Sequence, residues 1–431
     1  MKKNYLLILL FFLLCIPTLK VNAKNINIVI DPGHGGDNLG GLYQDFTEKE
    51  LTMETAIAMK EHLEQFENVT VYLTHENTSD ADLSLTKRAE IASSVNADFL
   101  FSLHYNKSSD NRLFGAEVWV SAFDDYYARG MQFAQIEMQQ LADYGLFDRG
   151  IKTRLNSRGT DYYGIIQHAR EFNIPCVIIE HCHMDQAHDI PFLTKENACK
   201  EFGRLDAEAV ARYFNLKSST HNEDYSSYQK QEIAVPSNVM KPDLTPPDAA
   251  DIALMDSTNT DMVSIMISAC DTESGLNYYD YSIDGGQTYS DLQPWPFDSP
   301  ECSFELPVST EYDRQLICRV YNRYDRLLES NTINIEKAEQ ATQITDTSKQ
   351  DSDAETPSKN SDDDSQTDIQ ESKSIATISY QTNEQNNSYD MTDYILFGVL
   401  ICAFLFFIFN ILFFTYLIKG KKRKRKNKSK Q

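Results

Sequence analysis

Short apolar runs alternate with amphipathic segments from Ile26 to Leu216. The apolar runs are rich in β-branched residues and predict five strands: Ile26–Ile30, Val69–Leu73, Asp98–Leu103, Ala116–Val120 and Pro175–Ile179. The other segments space apolar residues by three and four and predict four helices: Glu50–Phe66, Leu83–Ser94, Met131–Tyr144 and Asn197–Phe214. We therefore expect one α/β domain over residues 24–216, with an open, mostly parallel sheet and helices on both faces.

The hydrophobic pattern changes to a period of two residues after a polar stretch. Residues 217–244 are polar and predict a linker. From about residue 245 to 336, short runs alternate apolar and polar positions, as in Leu276–Ile283 and Gln315–Tyr321. We expect a small all-β sandwich over residues 245–336. The run from Tyr281 to Tyr289 resembles extracellular bacterial Ig-like or fibronectin-type modules at the level of fold.

Two hydrophobic stretches lie near the ends of the chain. Residues 1–23 combine a basic start, an apolar block and a small-residue ending, which predicts a secretory signal peptide cleaved after Ala23. An uncleaved anchor helix is the alternative there. Residues 394–418 are uncharged and exceed the roughly 20 apolar residues that cross a bilayer as one helix. Because basic flanks stay cytoplasmic, the tail of residues 419–431 places everything before residue 394 outside the cell.

The charge of the chain is divided between these regions. The whole chain has 40 Lys and Arg against 64 Asp and Glu, a formal charge of −24. Nine of the bases lie in residues 419–431, where we expect them to bind anionic lipid headgroups. Residues 24–393 hold 28 bases against 64 acids. An exterior this acidic excludes general nucleic-acid binding. Part of the acidity lies in residues 337–391, whose polar composition predicts a disordered stalk with a typical span of roughly 40 Å.

Six cysteines lie between the two hydrophobic stretches, three in each predicted domain. Odd numbers do not make a complete disulfide framework, and the spacing contains no CxxC pair that would predict a cysteine-based zinc site. The disulfide state of Cys270, Cys302 and Cys318 stays open.

Side chains that can bind a metal occur at the ends of two predicted strands. His34 follows the first strand and has glycines on both sides, and His104 ends the third strand. Glu48 opens the next helix. Ligands of α/β sheets bind beyond the carboxyl ends of strands, so these three side chains form a plausible zinc set with a fourth position for water. A turn histidine and an acid that complements a helix N-terminus are the alternatives.

Glu180 directly follows the apolar strand Pro175–Ile179. A carboxylate at the end of a buried strand is costly without a partner. If it faces the same edge as His34 and His104, it can take a proton from a zinc-bound water. We expect Glu180 to be the catalytic residue, and a salt-bridged strand end is the alternative.

Four motifs, in this order, resemble those of the zinc-dependent N-acetylmuramoyl-L-alanine amidases. They are Asp31-Pro-Gly-His-Gly-Gly, Glu48-Lys, Ser102-Leu-His-Tyr-Asn and Pro175-Cys-Val-Ile-Ile-Glu, with lesser matches at Leu85-Thr-Lys-Arg and Gly115-Ala-Glu-Val. The resemblance covers residues 26–216 and implies the family's open α/β sheet. It also implies zinc bound by His34, Glu48 and His104, and Glu180 as the catalytic base or acid. The implied reaction is hydrolysis of the amide between N-acetylmuramic acid and L-alanine in peptidoglycan.

The chain departs from the family's pattern after Glu180. Family members usually continue with Gly-Phe, whereas this chain has His181, His183 and His188. Strand alternation places His181 and His183 on the face opposite Glu180. We expect these two histidines, with Asn106, to line a variant substrate rim, or the histidines to pack in the connection. A second metal is the other alternative.

These patterns together predict a membrane-anchored extracellular zinc hydrolase that remodels the cell wall. Its expected partners are peptidoglycan, the membrane and an unidentified protein bound through the β-sandwich. Two other classes stay open: a catalytically silent wall-binding protein with the same fold, and an adhesin whose working part is residues 245–336. A zinc peptidase that cuts another amide is the nearest enzymatic alternative.

Overall fold

A six-stranded sheet forms the centre of the first region in the computed structural model, which describes residues 24–255 and 261–337. The strands of this region are β1 (Ile26–Pro32), β2 (Leu42–Tyr43), β3 (Phe46–Thr47), β4 (Val69–Leu73), β5 (Phe99–Asn106), β6 (Ala116–Val120), β7 (Asp148–Lys152) and β8 (Cys176–His183). The sheet has the order β4-β1-β5-β8-β6-β7, and β2 and β3 form a separate ribbon. Neighbours are parallel except for β6 and β8, so the expected mostly parallel sheet is confirmed.

Helices cover both faces of this sheet, as the alternating pattern predicts. They are α1 (Glu48–Leu63), α2 (Leu85–Ser94), α3 (Asp124–Tyr144), α4 (Gly164–Glu171), α5 (Ile190–Leu193) and α6 (Ala198–Tyr213). Successive residues of β1 point to opposite faces. Ile28 and Ile30 lie in one core with apolar residues of α1, α3 and α6, whereas Val29 lies in a second core with residues of α2 and α4.

The pattern of apolar residues missed β7 and α4. β7 has the sequence Asp-Arg-Gly-Ile-Lys, which does not look like a buried strand, yet Arg149 and Lys152 are each 2% exposed. Their counterions come from other elements of the fold, so the strand alone gives no sign of burial. In addition, α3 begins at Asp124, earlier than the predicted start at Met131.

Residues 217–244, predicted as a linker, lie against the α/β domain. They begin with a hairpin formed by β9 (Lys217–Ser218) and β10 (Glu223–Asp224). Near their end, the hydroxyl of Thr153 donates to the carbonyl of Met240 at 3.1 Å. The connection is therefore an ordered strap that is hydrogen-bonded to the domain it leaves.

Residues 249–335 form two antiparallel sheets. Their strands are β11 (Ala249–Met255), β12 (Met262–Cys270), β13 (Leu276–Ser282), β14 (Gln293–Pro294), β15 (Glu301–Pro307), β16 (Arg314–Asn322), β17 (Leu327–Glu329) and β18 (Ile333–Ile335). One sheet has the order β11-β12-β15, and the other has the order β14-β13-β16-β17 with β18 beside β16. Ile265 and Ile267 of the first sheet share one core with Cys318 and Val320 of the second. The period-two pattern puts these residues on the inner faces.

The two-sheet region contacts the α/β domain through β13. Tyr278 is fully buried, and its ring centroid lies 4.9 Å from that of Phe114 and 5.0 Å from that of Phe147. Its hydroxyl donates to the carbonyl of Phe114, and the amide of Asn277 donates to the carbonyl of Arg149 at 3.1 Å. Aromatic packing and hydrogen bonds from side chains to backbone carbonyls therefore hold the two regions together.

A buried arginine joins the two regions electrostatically. The Arg149 guanidinium donates to both carboxylate oxygens of Asp325, in the turn between β16 and β17, at 3.2 and 2.9 Å. It also lies 3.3 Å from Oε2 of Glu117 and 2.7 Å from Nε2 of His183. Burial and this cation lower the pKa of His183 to about 3, so the ring is neutral and accepts the hydrogen bond. A cation this deeply buried needs its partners from both regions.

Several predicted segments lie outside the described residues. They are the signal peptide of residues 1–23, all but the first residue of the stalk, the spanning segment 394–418 and the basic tail 419–431. Within residues 24–255 and 261–337, no helix has the length and apolar character needed to cross a bilayer. The six cysteines in these ranges are all free, and Cys270 alone among them is exposed.

We predict that Asp325→Ala lowers the free energy of unfolding by about 3 kcal/mol, because it leaves the Arg149 guanidinium buried with one counterion fewer. Urea unfolding followed by tryptophan fluorescence measures the change. Asp251→Ala, at an exposed position of β11, is the matched control and should change stability by less than about 0.5 kcal/mol. Equal effects of the two substitutions would contradict the role given to Arg149.

Candidate metal centre and active site

The turn after β1 presents His34 at the carboxyl end of the central sheet. His34 has a φ of +69°, in the left-handed region. A Cβ atom at Gly33 would lie 2.5 Å from Cε1 of His104, and one at Gly40 would lie 2.5 Å from Oε2 of Glu48. A side chain at either position would displace His104, Glu48 or His34, so these two glycines allow the three polar side chains to converge.

A buried arginine of α2 fixes the backbone of this turn. The Arg88 guanidinium donates to Oδ1 of Asp31 and to the carbonyl of Pro32, both at 2.7 Å, and to the carbonyl of His34. The other carboxylate oxygen of Asp31 accepts from the hydroxyl of Ser102 at 2.9 Å. Because the donors of a guanidinium lie in one rigid plane, Arg88 determines where the chain leaves β1 and therefore where His34 lies.

Glu48, the first residue of α1, lies between two imidazole rings. Its Oε1 atom is 3.0 Å from Nε2 of His34 and 2.9 Å from Nδ1 of His104, and its Oε2 atom accepts from the backbone N–H of Gly41 at 2.7 Å. One ligand atom from each of the three residues lies within 4.8 Å of the other two. The structure thus brings together His34, Glu48 and His104, three residues that the sequence places on separate elements.

The pKa values of this cluster shift in opposite directions. Burial raises the pKa of Glu48, but the contacts with His104 and His34 outweigh burial and hold that pKa well below its ordinary value. Burial lowers the pKa of His34, but the Glu48 carboxylate and the side chain of Asn38 outweigh it, so the pKa is raised overall. The cluster is therefore an ionised carboxylate in a site that favours a nearby positive charge.

The donor set fits a divalent metal ion. Nε2 of His34 is buried and makes no hydrogen bond of acceptable geometry with any described residue. The other ring nitrogen, Nδ1, lies 3.1 Å from Oδ1 of Asn38, which keeps the proton on Nδ1 and leaves the lone pair on Nε2. Two imidazole nitrogens and one carboxylate oxygen are donors that zinc prefers.

Glu180 lies on β8 beside this cluster. In the sheet register it is next to His104 of β5 on one side and Glu117 of β6 on the other. Burial and the carboxylates of Glu48 and Glu117 raise the pKa of Glu180 well above its ordinary value, and the Arg149 cation opposes this shift. A carboxyl group with a raised pKa beside a candidate metal centre is suited to proton transfer.

Glu117 is a buried residue whose place in the site the sequence analysis missed. Its Oε1 atom accepts from Nδ2 of Asn106 at 2.8 Å and from the indole of Trp119 at 3.2 Å, and its Oε2 atom accepts from Nζ of Lys152 at 2.5 Å. The sequence signal was an acid inside the apolar strand Ala116–Val120. Glu117 therefore orients Asn106, while Lys152 offsets one of the negative charges close to Glu180.

The histidines after Glu180 do not lie where the sequence analysis placed them. His181 and His183 are fully buried, and Nε2 of His181 is 3.0 Å from both carboxylate oxygens of Asp206 on α6. Their burial does not fit the predicted substrate rim, and they do not lie in the connection either, because both are among the last residues of β8. The ring of His188 stacks on Phe114 at 4.3 Å. None of the three belongs to a metal-binding group within the described residues.

Asn106, the third predicted rim residue, is half-buried at the end of β5. Its Nδ2 atom donates a hydrogen bond to Glu117, and its Oδ1 atom accepts one from the backbone N–H of Lys107 at 3.1 Å. A substrate contact for Asn106 stays a prediction.

Comparison with known proteins assigns the α/β domain to the family that its four sequence motifs resemble. Residues 28–212 match the family model described as N-acetylmuramoyl-L-alanine amidase. The chain is 30% identical over 203 residues to the N-acetylmuramoyl-L-alanine amidase CwlM of Bacillus licheniformis, a match that covers 45% of this chain and 71% of the relative. It is 29% identical over 199 residues to a sporulation-specific N-acetylmuramoyl-L-alanine amidase of Bacillus subtilis (strain 168), with coverage of 45% and 71%.

Among solved structures, the chain is similar to the catalytic domain of CwlV, an N-acetylmuramoyl-L-alanine amidase from Bacillus (Paenibacillus) polymyxa var. colistinus. The TM-score is 0.38 and the sequence identity is 25%, over 44% of this chain and 99% of that one. The two-sheet region, residues 249–335, lies outside the family match.

We predict that Asn38→Ala weakens zinc binding at the cluster of His34, Glu48 and His104 by about 10- to 100-fold, because the proton on the His34 ring loses its acceptor. Competition titration against a chromogenic chelator measures the affinity. Asp37→Ala, at the exposed neighbouring position, is the control and should change the affinity by less than about threefold. If both variants bind zinc as tightly as the parent chain, Asn38 does not orient His34.

Proposed function

The chain belongs to the family of N-acetylmuramoyl-L-alanine amidases, and we propose that it is a zinc-dependent, membrane-anchored member that cuts peptidoglycan outside the cell. The bond cleaved is the amide between N-acetylmuramic acid and the first L-alanine of the stem peptide. One observation carries the zinc proposal: His34, Glu48 and His104 converge on one point beside Glu180.

In this proposal His34, Glu48 and His104 hold the zinc ion. When bound, zinc supplies a Lewis acid that polarises the scissile carbonyl and makes water acidic enough to react at neutral pH. The protein supplies the geometry. Asn38 keeps the His34 ring in the tautomer that can bind, and Arg88 fixes the turn that carries this ring.

Glu180 is the proposed proton carrier. As the water oxygen bonds to the carbonyl carbon, the Glu180 carboxylate accepts a proton from that water. It then gives the proton to the amide nitrogen as the carbon–nitrogen bond breaks, so that L-alanine leaves as an amine. Burial and the neighbouring acids Glu48 and Glu117 raise the pKa of Glu180, and thus its affinity for the proton that it must hold between the two steps.

No cysteine takes part in this reaction. Cys176, Cys182 and Cys199 are buried, and burial raises the pKa of each thiol, which disfavours the thiolate that a nucleophile requires. Water is therefore the nucleophile, and the reaction needs no covalent intermediate.

The proposed location rests on the sequence outside the described residues. A signal peptide over residues 1–23 would export the chain, and residues 394–418 would anchor it with residues 419–431 in the cytoplasm. An acidic stalk over residues 337–391 would place the enzyme at a distance from the bilayer, within reach of the wall.

We further propose that residues 245–336 are an Ig-like β-sandwich. Two antiparallel sheets with a shared core support this assignment. Contacts of Tyr278 and Asp325 with the α/β domain make the sandwich a fixed part of the enzyme, and its outer faces are the surface on which an unidentified protein partner would bind.

We predict that Glu180→Gln lowers the turnover of purified peptidoglycan by about 10²- to 10⁴-fold while zinc stays bound, because the variant cannot carry the proton. Mass spectrometry of the released stem peptides and metal analysis by mass spectrometry measure the two effects. Glu171→Gln, at the exposed end of α4, is the matched control and should keep full turnover. Amide cleavage that survives complete removal of zinc by a chelator would exclude the mechanism.

We predict that a chain ending at residue 393 appears in the culture medium, whereas the full chain stays with the membrane fraction. The physical reason is that residues 394–418 are the proposed spanning segment and the truncated chain lacks them. Fractionation with an antibody against the catalytic domain measures this. A truncated chain that still pellets with membranes would contradict the anchor.

A further inference from the structure

A second group of metal-ligating side chains lies at the other end of α1. His62 is in the last turn of α1, Glu208 is on α6, and Glu223 begins β10. One ligand atom from each lies within 4.8 Å of the other two. Glu48 and His62 lie on the same helix, about 21 Å apart along its axis, so this group is separate from the catalytic one.

Two atoms of this group are buried without a hydrogen bond. They are Nε2 of His62 and Oε2 of Glu223, which face each other at 3.8 Å, too far apart for a hydrogen bond. Among the described residues, one other histidine nitrogen is buried without a hydrogen bond. It is Nε2 of His34, in the candidate catalytic centre. A buried polar atom without a partner costs about 1–3 kcal/mol, and an ion bound between His62 and Glu223 would offset this cost for both atoms.

The distance between these two atoms suits one shared ion. Two ligands of a tetrahedral zinc ion, each about 2.0–2.1 Å from it, lie roughly 3.3 Å from one another. A shift of a few tenths of an ångström would bring His62 and Glu223 to that separation. Burial is the main cause that lowers the pKa of His62, and the charges of His221 and Arg204 act in the same direction.

Arg204 competes for the third ligand. The Arg204 guanidinium donates to Oε1 of Glu208, and Arg212 lies 3.8 Å from Oε2 of the same residue. A carboxylate has about four lone-pair positions, so Glu208 can accept from Arg204 and still bind an ion. Arg204 also pairs with both oxygens of Glu201, which gives it an alternative partner.

One ligand of the group, His62, borders a cavity. His62 lines a cavity of about 700 Å³ between α1, the start of α6 and the β9–β10 hairpin. His221 also lines this cavity and stacks on His62 with ring centroids 4.3 Å apart. The cavity provides the entry path that a metal site needs.

We propose that His62, Glu208 and Glu223 form a second divalent metal site, which selects zinc and serves structure. An imidazole nitrogen with two carboxylate oxygens favours zinc over magnesium or calcium, which prefer all-oxygen sets. The ion would tie the β9–β10 hairpin to α1 and α6. Since this hairpin starts the strap to the two-sheet region, the site stabilises the connection between the regions, independently of the proposed function.

The test is a calorimetric titration of zinc alone into the full chain, stripped of metal and free of any added histidine tag. The parent chain should bind two ions. His62→Gln and Glu223→Gln should each bind one, with the remaining affinity unchanged, and His34→Gln should also bind one. His168→Gln is the matched control and should keep two ions, because His168 contacts a carboxylate on the surface of α4 outside both groups.

Each outcome decides the proposal. A parent chain that binds a single ion, lost in His34→Gln, overturns it, and so does a second ion that persists in both His62→Gln and Glu223→Gln. Circular dichroism verifies that every variant is folded before titration. In His34→Gln, zinc should still raise the midpoint of thermal unfolding, and this increase should vanish in the double variant His34→Gln with His62→Gln. Neither readout depends on amidase activity.

Discussion

The structure depends on compensating the carboxylates that are buried at one edge of the central sheet. Asp31, Glu48 and Glu117 are buried there and Glu180 is half-buried beside them, and a buried charge without a partner would cost several kcal/mol. Two of the four have protein cations: Arg88 pairs with Asp31, and Lys152 with Glu117. Glu48 and Glu180 have imidazoles and one another as neighbours. The fold therefore neutralises Asp31 and Glu117 with buried cations. Within the described residues, Glu48 and Glu180 have no such cation pair and lie where a metal ion can bind.

The same requirement extends into the two-sheet region. Arg149 offsets Glu117, but its own guanidinium is too buried for water to solvate, so Asp325 supplies a second carboxylate from the other region. The chain of contacts runs from Asp325 through Arg149 and Glu117 to the neighbourhood of Glu180. Electrostatics thus makes the two regions one structural unit, although the family match covers only the first.

The sequence predicts those parts of the fold and the site that depend on local pattern. The strand ends carrying His34, His104 and Glu180 followed from apolar runs, and their convergence followed from the rule that parallel strands end at one edge. β7 could not be predicted, because Arg149 and Lys152 are buried only through partners distant in sequence. The same holds for the buried histidines after Glu180, since Asp206, which binds His181, is on another element.

Gly33 and Gly40 have a consequence for how such an enzyme can lose its activity in evolution. Every missense change of a glycine codon adds a Cβ atom, and at these positions that atom would lie 2.5 Å from His104 or Glu48. A chain could therefore retain all three ligand residues and the whole fold and yet be unable to assemble the centre. Relatives that have become pure wall-binding proteins could be recognised by these two glycines, even where a comparison of ligand residues alone would count them as enzymes.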